Sequence, residues 1–384
     1  MNYTVPHTPI GFQPLLFSEQ DKEELSRCCV FPLTELHRLL AATIMVVEPL
    51  LPFSLDRLRP GRAVGRKPYP MHPFFRFQLA MPIFRQSTFK DMRRLLMSDL
   101  NLRDLCGFGK IPSEATFSRY LKILSDNINM DRHALGPLNE TFFTEEKGGL
   151  VLHISRDSTA IPARERAMKS TPKEKGSAKK RGRKKKGSVE EKEFLERDRR
   201  TVLEKQVSQM PEEAISLLNT QCSWGGKKNS KGHPSFWCGY KLHLDSTDTG
   251  IPTAYEVTGA NVHDSQMAIP LEKMTQQRVQ HCYSLMDSGY YSLVIQNYIE
   301  GTGRVALIDP AKRQGSEPFC PSKKHRYKIR TTVERSNAHL KDWLIPKNLC
   351  VRGYKKMHFV LGCAVVALAV RQMGLLLEER QKTA

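Results

Sequence analysis

The chain has 384 residues, enough for two or three domains with a sizeable core. Lysine and arginine outnumber aspartate and glutamate by 60 to 40, giving a formal charge of +20 and a pI near 9.6. That balance favours a polyanionic partner, nucleic acid or an anionic membrane surface. Nine cysteines without a C-x-x-C pair, two of them adjacent at Cys28 and Cys29, read as reduced cytosolic thiols and not as zinc ligands. The first residues show no basic stretch followed by an apolar run, so no signal peptide is expected. The longest apolar run, Phe359 to Val370, falls short of the ~20 residues a membrane span needs. It reads as a buried C-terminal helix, and no membrane partner is expected.

Residues 1 to 33 lack periodicity and are expected to form an arm. LTELHRLLAATIMVV, Leu33 to Val47, reads as a helix, and Pro52 to Pro70 as a basic connector. Two or three short helices follow: FFRFQLAMPIF around Pro82, STFKDMRRLLMSD with Ser87 as N-cap, and PSEATFSRYLKIL with Ser113 as N-cap. With Arg93, Arg94, Arg119 and Lys122 on the last two, residues 34–135 suit a small all-α, helix-turn-helix-like DNA-binding domain. An ordinary helical bundle with solvated cations remains the alternative.

Beyond residue 148 the pattern turns to strands. LVLHISRDSTAI is one; GYKLHLDSTD and IPTAYEVTGANVHDS form a hairpin turning at Asp248-Thr249-Gly250. HCYSLMDSG, the helix YSLVIQNYIE, the strand RVALIDP, a helix from Tyr327 and a long C-terminal helix complete a mixed α/β domain over 148–375. A basic and helical insertion at 165–235 interrupts it. Its lysine-rich run within 169–192 is too polar to bury and suits phosphate contact, or a solvating linker.

Two of these strands carry acids, Asp157 in HISRDSTAI and Asp287 in SLMDSGYYS. An aspartate in an apolar strand is costly unless paired or metal-bound. The stretch YKIRTTVERSNAHLK adds a third acid. On a helical wheel Tyr327, Arg330, Glu334 and Lys341 share one arc, and Ile329, Val333, Leu340 and Leu344 share a neighbouring apolar one. Three carboxylates together repel each other, and divalent cations relieve that repulsion; oxygen-only ligands favour Mg²⁺, or Mn²⁺ in its place, over zinc. Two such ions would clamp the attacking and leaving oxygens of a phosphodiester. His263 is a possible auxiliary group beside the acids, or a structural histidine. Asp245 competes with Asp157 but stands at the start of a turn, and His243 reads as a side chain of the opposite strand face.

The spacing Tyr327-x2-Arg330-x3-Glu334-x6-Lys341 resembles the Tyr-Arg-Glu-Lys signature of DDE transposases from bacterial insertion sequences. RDST, GYKLHLD, TGANVHDS and DSGYYS resemble the other strand motifs of that family, in the same order. The resemblance implies an RNase H-like five-stranded mixed sheet with flanking helices. It implies Asp157, Asp287 and Glu334 as catalytic metal ligands for two Mg²⁺ ions. Tyr327, Arg330 and Lys341 would contact DNA, with Arg119 and Lys122 added from the helical domain. It further implies double-stranded DNA as partner, as terminal inverted repeats and as target. A homodimer on paired ends and a cytoplasmic, nucleoid-associated location in a bacterium complete the expectation. A non-catalytic DNA-binding derivative and a metal-dependent nuclease are the alternatives. Some relatives carry a β-rich insertion between the last strand and the glutamate helix. This chain carries its extra residues between Asp157 and the Gly239 strand, so the base-stacking tryptophan of such relatives is not carried over to Trp224 or Trp237, and Trp224 reads as a loop anchor.

Overall fold

A computed structural model describes residues 33–58, 67–144, 151–168, 200–228, 233–310 and 318–383. Most of the expected arm at 1–33 and the lysine-rich run within 169–192 lie outside the described residues.

The helical region begins with α1 (Glu35–Val47), started by Thr34, whose hydroxyl accepts from the His37 amide. Next comes α2 (His72–Ile83), apolar nearly all round and almost wholly buried. The cap of α3 (Phe89–Ser98) is Thr88 and not Ser87: its Oγ accepts from the Asp91 amide at 3.0 Å. Asp99 caps α4 (Leu100–Cys106) through the Leu102 amide and also bonds His37 Nε2 at 2.9 Å, tying α4 to α1. Ser113 does precede α5 (Glu114–Asn127), although its hydroxyl pairs with that of Thr116. Stacked rings, Phe74 on Tyr120 and Phe77 on Phe117, join α2 to α5. A π-helical turn at Asp131–Leu135 leads into α6 (Gly136–Thr144).

The sheet follows from the expected strands plus one more. It comprises β1 (His153–Pro162), β2 (Ser223–Lys228), β3 (Pro234–Thr247), β4 (Pro252–Gly259), β5 (Tyr283–Met286) and β6 (Val305–Ile308). β3 and β4 form the hairpin closed at Gly250, and β3 runs antiparallel to β1. β1, β5 and β6 are parallel to one another. The resulting order β4-β3-β1-β5-β6 is a mixed, RNase H-like sheet. The sixth strand, β2, comes from the segment assigned to the insertion. It pairs with the first half of β3, which starts at Pro234 and so extends beyond the motif GYKLHLD. Trp224 therefore sits on a strand, not in a loop. The glycines beside it permit close approach: a Cβ at Gly225 would fall 2.7 Å from both the Trp237 ring and the Ala260 carbonyl oxygen. Short helices α7 (Val202–Ser208) and α8 (Pro211–Ser216) precede β2, as the helical propensity of that stretch predicts.

Strand alternation then assigns each side chain a face. On one face lies α9 (Ala268–Arg278), and against it β1 and β3 direct Arg156 and Asp245, a directly opposed pair. Arg156 grips both Asp245 oxygens at 2.7 and 2.6 Å, Glu272 of α9 at 3.1 Å and the Ala268 carbonyl at 2.7 Å. Thr275 also donates to Asp245 Oδ2, and Ser284 and His281 bond the Glu272 carboxylate. Burial by itself would raise the Glu272 pKa. The His281 hydrogen bond and the Arg156 charge outweigh it and hold the group at about 2.

The other face is covered by α12 (Thr331–His339) and α13 (Tyr354–Thr383). α13 also packs on α1, α2 and α5, so one hydrophobic core runs from the N-terminal helices through the sheet. By length and composition this helix is apolar enough to cross a membrane, but two-thirds of that apolar stretch, 67%, is buried within the protein. It is a 30-residue core helix, much longer than the apolar run at 359–370. Outside the sheet's other edge, α10 (Leu293–Gly301) packs on β6.

Two outcomes follow from this packing. In the middle of α13, a Cβ at Gly362 would fall 2.5 Å from Met130 Cβ and nearer still to Tyr255 Oη. Gly362→Ala should therefore destabilise by about 1–3 kcal/mol in denaturant melts, against the ~1 kcal/mol that helix propensity alone would add. The depressed Glu272 should make stability fall with acid: its contribution is complete above pH 4.5 and lost as pH drops toward 2. The wild type should thus lose more stability across that window than Glu272→Gln, as read by melts at stepped pH.

Candidate active site

Asp157 is the residue after Arg156 and so points to the opposite face of β1, toward α12. Its Oδ2 accepts from Asn337 Nδ2 at 2.9 Å. Asp245, by contrast, lies within β3 and not at a turn; it is fully buried under Arg156 and faces away from Asp157. His243 shares that far face and bonds Thr258 at 2.8 Å.

Asp287 immediately follows β5, the parallel neighbour of β1. It caps a short turn, Ser288–Tyr290, by accepting from the Gly289 amide at 2.9 Å. The two aspartates therefore stand on neighbouring parallel strands, and each is held above the usual carboxylate range. For Asp157, burial is the main cause and the Asp287 charge adds to it, while Arg330 and Lys227 oppose. For Asp287, burial again leads and Asp264 adds, while the Gly289 amide, Arg330 and Lys227 oppose.

The Tyr327 segment is helical throughout but not of uniform pitch. α11 (Pro321–Tyr327) tightens into a 3₁₀ turn at Lys328–Arg330, continues as α12 and loosens into a π-turn at Leu340–Leu344. The apolar arc behaves as expected: Val333, Leu340 and Leu344 are buried and Ile329 is half-buried. The polar arc also stays together. Tyr327 Oη donates to the Met286 carbonyl at 3.1 Å, anchoring the segment to the end of β5 beside Asp287. Arg330 lies 5.9 Å from the Tyr327 ring centre and ion-pairs with Glu334. It feels the charges of Glu334, Asp157 and Asp287 together. Burial and the Lys227 charge lower the Lys341 pKa, while Asp157 opposes.

The Glu334 carboxylate is half exposed and held by Arg330. Among the described residues, no three acidic, histidine or cysteine side chains stand close enough to share one metal ion. The donor set nonetheless suits a hard divalent cation. Two half-buried carboxylates are present, the charge of Asp287 raising the pKa of Asp157; all donors are oxygen, and a third carboxylate is paired with the arginine whose charge acts on both.

His263 is exposed, its Nδ1 bonded to Ser265 at 2.8 Å. Arg119 and Lys122 are exposed on α5, away from the acids in sequence and fold. Two nearby residues, Asn337 and Lys227, escaped the sequence reading. Asn337 could have been found from its place one helical turn after Glu334. Asp264, beside His263 in TGANVHDS, pairs with Lys241 at 2.9 Å and adds its charge to that felt by Asp287. Lys227 comes near only because β2 is a strand, which the Gly-Gly pair disguised.

A family model described as Transposase DDE domain matches residues 152–368, more than half of the chain. The chain belongs to the DDE transposase family. The match opens one residue before β1 and closes within α13, so it takes in both aspartates, Glu334 and the whole sheet. Searches of curated proteins and of solved structures returned no match. Membership carries with it a transposase, DNA as substrate, and a family that generally works with divalent metals.

One outcome tests the built geometry of this transposase. Removing the Asn337 amide should release Asp157 and leave a half-buried carboxylate short of a donor. Asn337→Ala is expected to cost about 1–3 kcal/mol in a denaturant melt, and Asn337→Ala added to Asp157→Asn distinctly less.

Proposed function

We propose that the protein cuts DNA at the ends of its element and joins them to target DNA, with Asp157, Asp287 and Glu334 as the ligands of two Mg²⁺ ions. The observation that carries this is the meeting of Asp157 and Asp287 at neighbouring parallel strands, both lifted in pKa by burial, beside Arg330 and Glu334. Such ions, when bound, would activate water or a 3′-hydroxyl and stabilise the leaving oxygen. The chain's own residues supply the rest. Asn337 fixes the Asp157 carboxylate, and the Gly289 amide fixes that of Asp287. Arg330 would grip a phosphate bidentately, and Lys341, whose charge acts on Asp157, would serve as a point charge. Tyr327 holds this helical segment to the end of β5. The spacing of these four residues supports the Tyr-Arg-Glu-Lys branch of the family.

Residues 34–135 would be the DNA-reading part, with Arg119 and Lys122 facing phosphate from α5. A homodimer holding the two inverted repeats, at work on the bacterial chromosome, completes the proposal. Retention of all three acids and the signature cations favours an active enzyme over a non-catalytic DNA-binding derivative.

The test combines purified protein, Mg²⁺, a labelled duplex from the DNA flanking the gene and a supercoiled target plasmid. Joined products are expected; cleavage without joining would make the protein a nuclease, and binding alone a non-catalytic derivative. Asp157→Ala, Asp287→Ala and Glu334→Ala should each abolish cleavage while DNA binding is kept or tightened, since each removes an anion near phosphate. Strand transfer by any of these variants removes that residue from the ligand set. Binding should also weaken steeply with salt, and Arg119→Ala/Lys122→Ala should flatten the log–log slope by about 0.9 for each phosphate that is no longer neutralised. An unchanged slope takes both residues out of the interface.

A further inference from the structure

We infer that Arg330 keeps Glu334 out of the acid pair in the free protein and releases it when a DNA phosphate takes the guanidinium, so that DNA binding completes the cation site. The inference rests on reading Asp157, Asp287 and Glu334 as the cation ligands.

Three features of the site point to it. First, the acids are not assembled. Glu334 bends back along its own helix to Arg330, four residues earlier, and its carboxylate is 50% exposed. Second, Arg330 already does for the acids what a cation would do. It is 16% exposed and ion-pairs with Glu334, and its positive charge acts on Asp157 and Asp287 against the rise in their pKa. Third, the guanidinium is only partly used. Its Nη2 serves Glu334, whereas Nη1 is buried and has no hydrogen-bond partner. A buried donor without an acceptor is unfavourable, and a second acceptor at that position removes the penalty.

A phosphate is the acceptor this geometry fits. It offers two oxygens to the guanidinium fork, where Glu334 is engaged through one oxygen. Lys341 and Lys227 also bring positive charge to the same acids, so an arriving phosphodiester meets three cations. An ion pair between a half-exposed carboxylate and a residue four positions away is a weak contact and is readily exchanged. Once Arg330 has turned to phosphate, Glu334 is without its partner, and the two half-buried aspartates have lost one of the positive charges that countered them. A divalent cation then gains a third oxygen ligand. Linkage makes the effect reciprocal: DNA tightens cation binding by the factor by which the cation tightens DNA binding.

The test measures Mn²⁺ affinity by electron paramagnetic resonance, without and with a DNA duplex, and corrects for Mn²⁺ held by the duplex using the Asp157→Asn/Asp287→Asn protein. Wild type, Glu334→Gln, Arg330→Gln and the double variant form a cycle. Without DNA, Glu334→Gln should change Mn²⁺ affinity by less than about twofold when Arg330 is present, and weaken it about tenfold or more when Arg330 is Gln. With the duplex, the tenfold loss should appear in the Arg330 background as well. If Glu334→Gln weakens Mn²⁺ equally in both backgrounds without DNA, Glu334 is already a ligand and the latch is overturned. If it has no effect under any condition, Glu334 never joins the site, which also overturns it. Asp157→Asn separates this from the underlying reading. Unchanged Mn²⁺ binding in that variant would mean the acid pair holds no cation, and the proposed chemistry itself would fall.

Discussion

The structure turns on a buried guanidinium. Arg156 lies in the central strand with Asp245 opposite it and Glu272 on the helix below, all essentially inaccessible to water. A network of this kind adds little net stability compared with a well-packed apolar core, but losing any one member leaves an uncompensated charge. Its strength lies in specification. Because a strand alternates its faces, a one-residue slip of β1 would bring Arg156 to the wrong side and bury Asp157 in its place. The ion network thereby fixes the register that aims Asp157 at α12.

On the aimed side, like charges are gathered and countered. Burial lifts Asp157 and Asp287, helped by the charge of Asp287 on the first and of Asp264 on the second, and Arg330 and Lys227 oppose that lift without abolishing it. Such an arrangement is poor for stability and useful for binding a cation, since the electrostatic penalty of the empty state becomes affinity when the charge arrives. The asymmetry between the two faces is the point. Under the sheet every carboxylate is satisfied by an arginine, a histidine or a hydroxyl, whereas above it the acids share one arginine that is only partly engaged.

The helical region belongs to the same body. α13 carries its apolar surface from β4 to α1, α2 and α5, and Gly362 lets it approach β4 closely enough for Tyr255 and Met130 to meet it. Asp131, from the turn before α6, bonds Arg278 of α9 and the Tyr255 amide. A force on the N-terminal helices would therefore be felt by the sheet through packed side chains.

Much of this was legible in the chain. Alternating apolar strands, the Asp-Thr-Gly turn, the apolar arc of Val333, Leu340 and Leu344, and the polar arc from Tyr327 to Lys341 follow from periodicity, which depends only on local geometry. The family motifs lie in those same segments, so both the family and the strands bearing the acids could be read without coordinates. The sequence could not show that Asp245 is occupied by Arg156, because that depends on which residues of two strands stand opposite each other. Nor could it show that β2 is a strand. Its two glycines have low strand propensity, and their place in the sheet depends on the rings of Trp237 and Phe236 lying over them. Asn337 and Lys227 meet Asp157 only through the fold, since both stand far from it along the chain. Local pattern determined the elements and their faces; long-range packing decided which charges share a space, because electrostatic neighbours are set by distance through the fold and not along the chain.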